Sequence, residues 1–237
     1  MNKAAELWPG GPIMQQEPGA PLGTDTVLLG AFARPAGAAR CIDLGCGAGA
    51  LTLLLLTRSE KLRVTGLELR PEAAQRAREN LAANGWEARA EIVTGDLRES
   101  RTLFRSGSFE LAVSNPPYFP AGSGAASPDP ARRAAREESF TLPELIGAAA
   151  YLLRTGGRFF VVHRAERLAE LFAAMSAAGL EPKRMRLVAA RPGAAPSLVL
   201  AEGRRCGKPG LTVEPTLLLR EPDGSPTAEY RRIYHLE

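Results

Sequence analysis

Apolar and polar positions along the chain alternate between two periods. Residues 40–44, 63–69, 90–94 and 109–114 have the continuous or two-residue apolar pattern of strands, and 50–58 and 71–84 have the 3.6-residue spacing of helices. Pro71 stands at a helix start, where its missing N–H costs nothing, and Gly85 follows as a C-terminal cap. A short helix is predicted at 25–32, ahead of the first strand. Beyond the fourth strand, 121–130 is rich in Gly, Ala, Ser and Pro and reads as a mobile loop. Helix, strand and helix return at 142–153, 158–163 and 165–178, and Gly179 caps the last. Segments 184–190, 197–202 and 211–219 read as strands with no long helix between them. The pattern predicts an α/β fold with a parallel sheet, helices on both faces and an antiparallel C-terminal edge. Ligands in such sheets sit beyond the carboxyl ends of the strands. No repeat or linker divides the chain, so one domain over 1–237 is expected, with 1–39 as an N-terminal extension and 40–237 as the core.

Composition narrows the class. With 237 residues, 45% hydrophobic and 24% charged, the chain can bury a sizeable core without disulfide or metal staples. Cys41, Cys46 and Cys206 form no C-x-x-C pair, which fits thiols in a reducing compartment and gives no expectation of a metal. Pro9, Gly10, Gly11 and Pro12 interrupt the start where a signal peptide needs an apolar run, and the longest apolar run, 51–56, is too short to span a bilayer. A cytoplasmic protein with no membrane partner is expected. The net charge of +4 is unevenly spread: 1–118 holds 13 basic and 13 acidic residues, 119–237 holds 17 and 13. A surplus confined to one half points to a polyanionic partner such as nucleic acid.

Candidate chemistry lies at the strand ends. Gly45, Gly47 and Gly49, with Cys46 between the first two, make a turn that lets the backbone approach a ligand, but their G-x-G-x-G spacing differs from the dinucleotide G-x-G-x-x-G. Asp43 just before the loop would repel a pyrophosphate and attract a cation. Glu68, with Leu69, ends the second strand and suits two ribose hydroxyls; Asp96, with Leu97, ends the third and suits an exocyclic purine amine. A ligand with a ribose, an adenine and an ammonium but no phosphate is S-adenosylmethionine. At the fourth strand end stands Asn115-Pro116-Pro117-Tyr118. Two prolines fix the backbone, so the Asn115 side-chain oxygen and the Pro116 carbonyl form a rigid acceptor pair for one planar NH2 group, and Tyr118 offers a ring for stacking.

On these residues the sequence resembles the class I S-adenosylmethionine-dependent methyltransferases that modify planar amino nitrogens, and most closely the bacterial tRNA adenine-N6 methyltransferases acting beside the anticodon of a valine tRNA. The resemblance rests on 22–29, 43–49, Glu68, Asp96, 115–119 and the tail around 207–234. It implies a Rossmann-like class I fold with a mostly parallel seven-stranded sheet and an antiparallel C-terminal edge. It also implies that Thr24 and its neighbours flank the methionine part of the cofactor and that Asn115 to Tyr118 hold the target adenine.

The basic residues then acquire a place. Lys183, Arg184, Arg186, Arg191, Arg204, Arg205 and Lys208, together with Arg132, Arg133 and Arg136 after the loop, are expected to grip the phosphates of an RNA, most simply a tRNA. His163 and His235 read as structural, Trp8 and Trp86 as packing residues, and a monomer is favoured. Rival readings are a release-factor glutamine N5-methyltransferase, a ribosomal RNA guanine-N2 or DNA adenine-N6 enzyme, and a nucleotide- or RNA-binding module without catalysis. The glutamine enzymes carry a substantial helical domain before the glycine loop, where this sequence has about 40 residues.

Overall fold

The structure is a computed structural model that describes residues 5–15, 22–35, 37–117 and 140–236. A two-stranded hairpin, β1 (Ala5–Glu6) and β2 (Ile13–Met14), precedes helix α1 (Thr24–Phe32). The main sheet then grows through β3 (Arg40–Leu44), β4 (Arg63–Glu68), β5 (Ala90–Thr94) and β6 (Phe109–Ser114), with α2 (Ala50–Leu56), α3 (Pro71–Ala83) and the short α4 (Ser100–Leu103) between them. It continues through α5 (Leu142–Leu152), β7 (Leu153–Arg164), α6 (Leu168–Ala177), β8 (Leu180–Ala189), β9 (Leu198–Arg205) and β10 (Thr212–Leu218), and α7 (Ala228–Ile233) follows. The spatial order is β10-β8-β9-β7-β6-β3-β4-β5.

Period-two alternation sorts the strand side chains into two apolar layers. Phe160 and Val162 of β7 pack on one face with Leu28, Leu53 and Leu81 from α1, α2 and α3. Phe159 and Val161 pack on the other with Leu145 of α5 and Leu171 of α6. Strands buried on both faces read as the near-continuous apolar runs seen in the sequence. Pro71 occupies the start of α3, Gly85 and Gly179 take left-handed φ of 65° and 71° after their helices, and Thr141 and Glu144 form a reciprocal capping box on α5.

The sheet departs from the expectation in two ways. Among the described residues it has eight strands rather than seven, and its C-terminal edge is parallel. Of these eight, β9 alone runs against the rest, and it lies between β7 and β8. The reason is connectivity: β9 returns the chain to the amino end of the sheet, so β10 can start beside β8 and pair with it in parallel without a crossover helix. Strand β7 begins at Leu153, five residues before the expected start, because Leu153 pairs with Phe109 and a register shift carries the strand past Gly156 and Gly157. The first turn expected of the following helix is a 3-10 turn, Ala165–Arg167. The hairpin was not expected either; the Asn84 amide bonds the backbone of Ile13 in both directions at 2.8 and 2.7 Å, and Asn80 does the same for Gln15. Trp8 in that hairpin stacks on His235, ring centroids 4.2 Å apart.

Candidate functional site

Helix α2 starts from a loop whose three glycines, Gly45, Gly47 and Gly49, all have positive φ (73°, 55° and 87°), a region that side chains with a Cβ rarely adopt. The Gly45 and Cys46 N–H groups donate to the Leu67 carbonyl, and the Gly47 N–H donates to Glu68 Oε2 at 2.8 Å, so the end of β4 sets the shape of the loop. The other Glu68 oxygen accepts from the Arg70 backbone N–H at 3.0 Å. Around the loop is a cavity of about 180 Å³, lined among others by Met14, Thr26, Asp43, Gly45, Gly47 and Asn115.

Asp43 is 1% exposed in that cavity wall and accepts a hydrogen bond of 2.8 Å from the Thr52 hydroxyl. Burial pushes its carboxyl up to about 7, and the Glu68 carboxylate adds to the effect while Thr52 opposes it. Among the described residues it has no cationic partner in an ion pair. A buried carboxylate facing a cavity favours a cation there.

Asn115 follows β6, whose last residue, Ser114, is tied to β3 by a 2.8 Å bond from its hydroxyl to the Leu44 carbonyl. The Asn115 Nδ2 donates to Thr26 Oγ1 at 2.8 Å, which fixes the plane of the amide at the cavity rim. The sequence reading took Thr24 and its neighbours and named Thr24 alone as a site residue; Thr24 is exposed at the first position of α1, and Thr26, two residues on, faces the cavity. One signal was available: residue 26 lies within the 22–29 segment that carries the resemblance. Pro116 is buried and Pro117 exposed; Tyr118 lies outside the described residues.

The remaining cofactor candidates divide. Leu97 is a core residue of the α5 layer, and Leu69 is half-buried beside Glu68. Asp96 caps the 3-10 turn after β5 by accepting from the Arg98 N–H at 2.8 Å, and its other oxygen accepts from the Arg98 side chain, which holds its carboxyl below the usual carboxylate range. Cys46 is buried, and burial pushes its thiol well up, so it stays protonated at neutral pH.

A second cavity, of about 510 Å³, is lined by Pro116 and Pro117 together with Phe140, Leu142, Leu145, His163 and the Arg167–Glu170 pair. Phe140 also approaches the first glycine, 3.8 Å from where a Cβ on Gly45 would stand. Neither Phe140 nor His163 was singled out for the site from sequence.

The basic candidates are brought together only in part. Arg132, Arg133 and Arg136 lie outside the described residues. Arg184 is 9% exposed and bonded to Glu202 at 2.8 Å, to Glu214 at 3.1 Å and to the Phe32 carbonyl at 2.9 Å, with its guanidinium 3.7 Å above the Phe32 ring. Arg186 holds Glu229 of α7 with two bonds, and Arg205 is tied to the Ala178 carbonyl. Register places Arg204 opposite Arg158 in the amino half of β7, with Arg205 beyond it opposite Leu180, the first residue of β8. Lys183, near the start of β8, donates to the Lys208 carbonyl, so both lie at that end too. The glycine loop and Asn115 lie at the carboxyl end. Arg191, in the β8–β9 connection, is the one of the seven at the same end as the site, and it is exposed.

Comparison with known proteins gives a consistent assignment. The sequence profile of the methyltransferase small domain matches residues 22–178. A Tolumonas auensis protein described as tRNA1(Val) (adenine(37)-N6)-methyltransferase is 35% identical over 211 residues, 88% of this chain and 86% of that protein. Proteins of the same description from Porphyromonas gingivalis and Cronobacter sakazakii are each 38% identical, over 77% and 85% of this chain and 74% and 81% of their own lengths. Among solved structures, an Agrobacterium tumefaciens protein described as a predicted O-methyltransferase superposes with a TM-score of 0.73 at 23% identity, covering 90% of this chain and 96% of its own. That likeness shows the fold.

Proposed function

Because the chain belongs to the methyltransferase small domain family and to the tRNA1(Val) (adenine(37)-N6)-methyltransferases, we propose that it methylates the exocyclic N6 amine of an adenine beside the anticodon of a tRNA, with S-adenosylmethionine as donor. The observation that carries the reading is the meeting of two halves at one rim: Asn115, fixed by Thr26, borders the same cavity as Asp43 and the glycine loop.

The residues of the cavity fit the cofactor. Asp43 is buried and lacks an ion-pair partner among the described residues, so a cationic ligand would relieve its desolvation. A Cβ on Gly47 would meet nothing within 4 Å, which leaves the loop backbone open to a ligand. Glu68 already shapes the loop, and a carboxylate has about four lone-pair sites, so its accepted bonds leave capacity for ribose hydroxyls. Asp96, engaged with Arg98, is assigned the same acceptor role towards the adenine end. When bound, S-adenosylmethionine supplies an electrophilic methyl group.

The chain's own residues then orient the acceptor. Asn115 Oδ1 and the Pro116 carbonyl accept from the two N–H bonds of the amine, which turns its nitrogen lone pair out of the base plane and toward the cofactor cavity. Because Thr26 holds Nδ2, the amide reaches this orientation before substrate arrives. Pro116 carries no N–H, so no donor at that position competes for the amine's lone pair. The test is incubation with labelled cofactor and tRNA lacking the modification, followed by nucleoside analysis. N6-methyladenosine is expected; label in protein, or in N2-methylguanosine, would overturn the reading.

A further inference from the structure

Asn80, near the end of α3, is 1% exposed, and a buried side-chain amide needs partners for both its N–H bonds and its oxygen. It finds them on two segments far apart in the sequence. Its Oδ1 accepts the Gln15 N–H at 2.7 Å, and its Nδ2 donates to the Gln15 carbonyl at 3.1 Å and to the Ala48 carbonyl at 2.9 Å. Gln15 directly follows strand β2 of the N-terminal hairpin, and Ala48 stands between the second and third glycines of the loop. One planar group therefore bonds the hairpin and the glycine loop to the same point of α3. A helical turn further on, Asn84 holds Ile13 in both directions. The spacings match, because four helical residues rise about 6.0 Å and two extended residues advance about 6.6 Å. The two asparagines thus act as a surrogate neighbouring strand for residues 13–15. The loop also lies tight on the helix, since a Cβ on Gly49 would stand 3.3 Å from the Ala77 Cβ.

The same two segments border the cavity assigned to the cofactor. Met14, between Ile13 and Gln15, lines it from the hairpin, and Ala48 lines it from the loop together with Gly45, Cys46 and Gly47. We propose that Asn80 is a positioning residue for S-adenosylmethionine: through one amide it sets the spacing of these two walls, so that docking of the hairpin and binding of the cofactor favour each other. The proposal rests on the cofactor placement above and adds a residue that acts from behind the cavity wall. Coupling of this kind is reciprocal. If a docked hairpin raises cofactor affinity, bound cofactor holds the hairpin down by the same factor.

The experiment measures amide hydrogen exchange at Ile13 and Gln15 with and without S-adenosylhomocysteine, and the affinity for the same ligand by calorimetry. In the wild type the ligand should slow exchange at both amides by roughly 5-fold or more, the lower end for coupled sites. Asn80→Ala removes three hydrogen bonds, so affinity should fall roughly 5- to 30-fold while kcat at saturating cofactor stays within about twofold. In that variant the ligand should no longer slow exchange at Ile13. A role in stability alone would lower the melting temperature and leave affinity below the transition unchanged. That result overturns the proposal, as does a wild type whose exchange at residues 13 and 15 ignores the ligand. Asn84→Ala carries the test if Asn80→Ala does not fold, since it releases Ile13 and leaves the Asn80 amide in place. It should speed exchange at Ile13 and weaken the ligand by roughly 2- to 5-fold, and the absence of either change overturns the proposal. A wild type that binds no S-adenosylhomocysteine overturns the parent reading instead, an outcome seen without any variant.

Discussion

Arg184 separates a structural from an RNA-binding use of the C-terminal basic residues, and Arg184→Met is the perturbation that decides it. Methionine keeps most of the side-chain length and the apolar stem over Phe32 but removes the charge. What is lost is bonding to Glu202 at 2.8 Å, to Glu214 at 3.1 Å and to the Phe32 carbonyl at 2.9 Å. Removing one member of a buried ion pair costs about 3–5 kcal/mol, because the partner charge stays behind in low dielectric. Glu202 and Glu214 are 15% and 21% exposed, and Arg34 still reaches Glu214 at 3.3 Å, so the lower end applies. A loss of about 3 kcal/mol in a chain of this size lowers the melting temperature by roughly 6–12 °C. RNA affinity of the folded protein, measured below the transition, should stay within about twofold, with the salt slope unchanged. Adding Glu202→Gln to Arg184→Met should recover part of the loss, since the stranded carboxylate is then neutral. The reasoning is refuted by a melting temperature within about 2 °C of wild type together with RNA binding whose salt slope falls by about one phosphate contact.

Asn115→Ala should abolish methylation in a labelled-cofactor assay while cofactor affinity, by calorimetry, stays within a few fold; unchanged turnover would remove the acceptor-pair mechanism. Thr26→Val deletes the oxygen that fixes the Asn115 amide, a change of about 1–2 kcal/mol, so single-turnover rates at saturating cofactor should fall roughly 5- to 30-fold; an unaltered rate would mean the amide is held by other contacts. Asp43 holds its proton more tightly in the folded protein than in the unfolded chain, so between pH 4 and about 7 its burial makes stability fall as pH rises, by about 1.4 kcal/mol per unit, and the effect levels off above that window. Urea melts across that range should show a shallower fall for Asp43→Asn than for wild type, and parallel curves would contradict the assignment.

Which of these features could be read from sequence follows from how local their causes are. Strand and helix positions around β3, β4, β5 and β6 were legible because each is set by its own apolar period and by punctuation such as Pro71 and Gly85. The glycine loop and Asn115-Pro116-Pro117 were legible because backbone conformation constrains residue type within a few positions. The far end of the sheet was less so: whether β10 pairs with β8 or lies outside it depends on where β9 returns the chain, and no window of sequence contains both facts. Arg184 and Arg186 illustrate the deeper difficulty. A basic run looks the same whether its side chains face solvent or meet acids 18, 30 and 43 residues away, and only the strand register brings Glu202, Glu214 and Glu229 to them. Thr26 was passed over for the same reason in reverse. It is an ordinary polar residue within an apolar helix, and it reaches the site because the fold brings it within hydrogen-bond distance of Asn115, 89 positions along the chain. The proposed catalytic strand end is thus written locally in its own tetrapeptide, while the residue proposed to aim it is supplied by a helix remote in sequence.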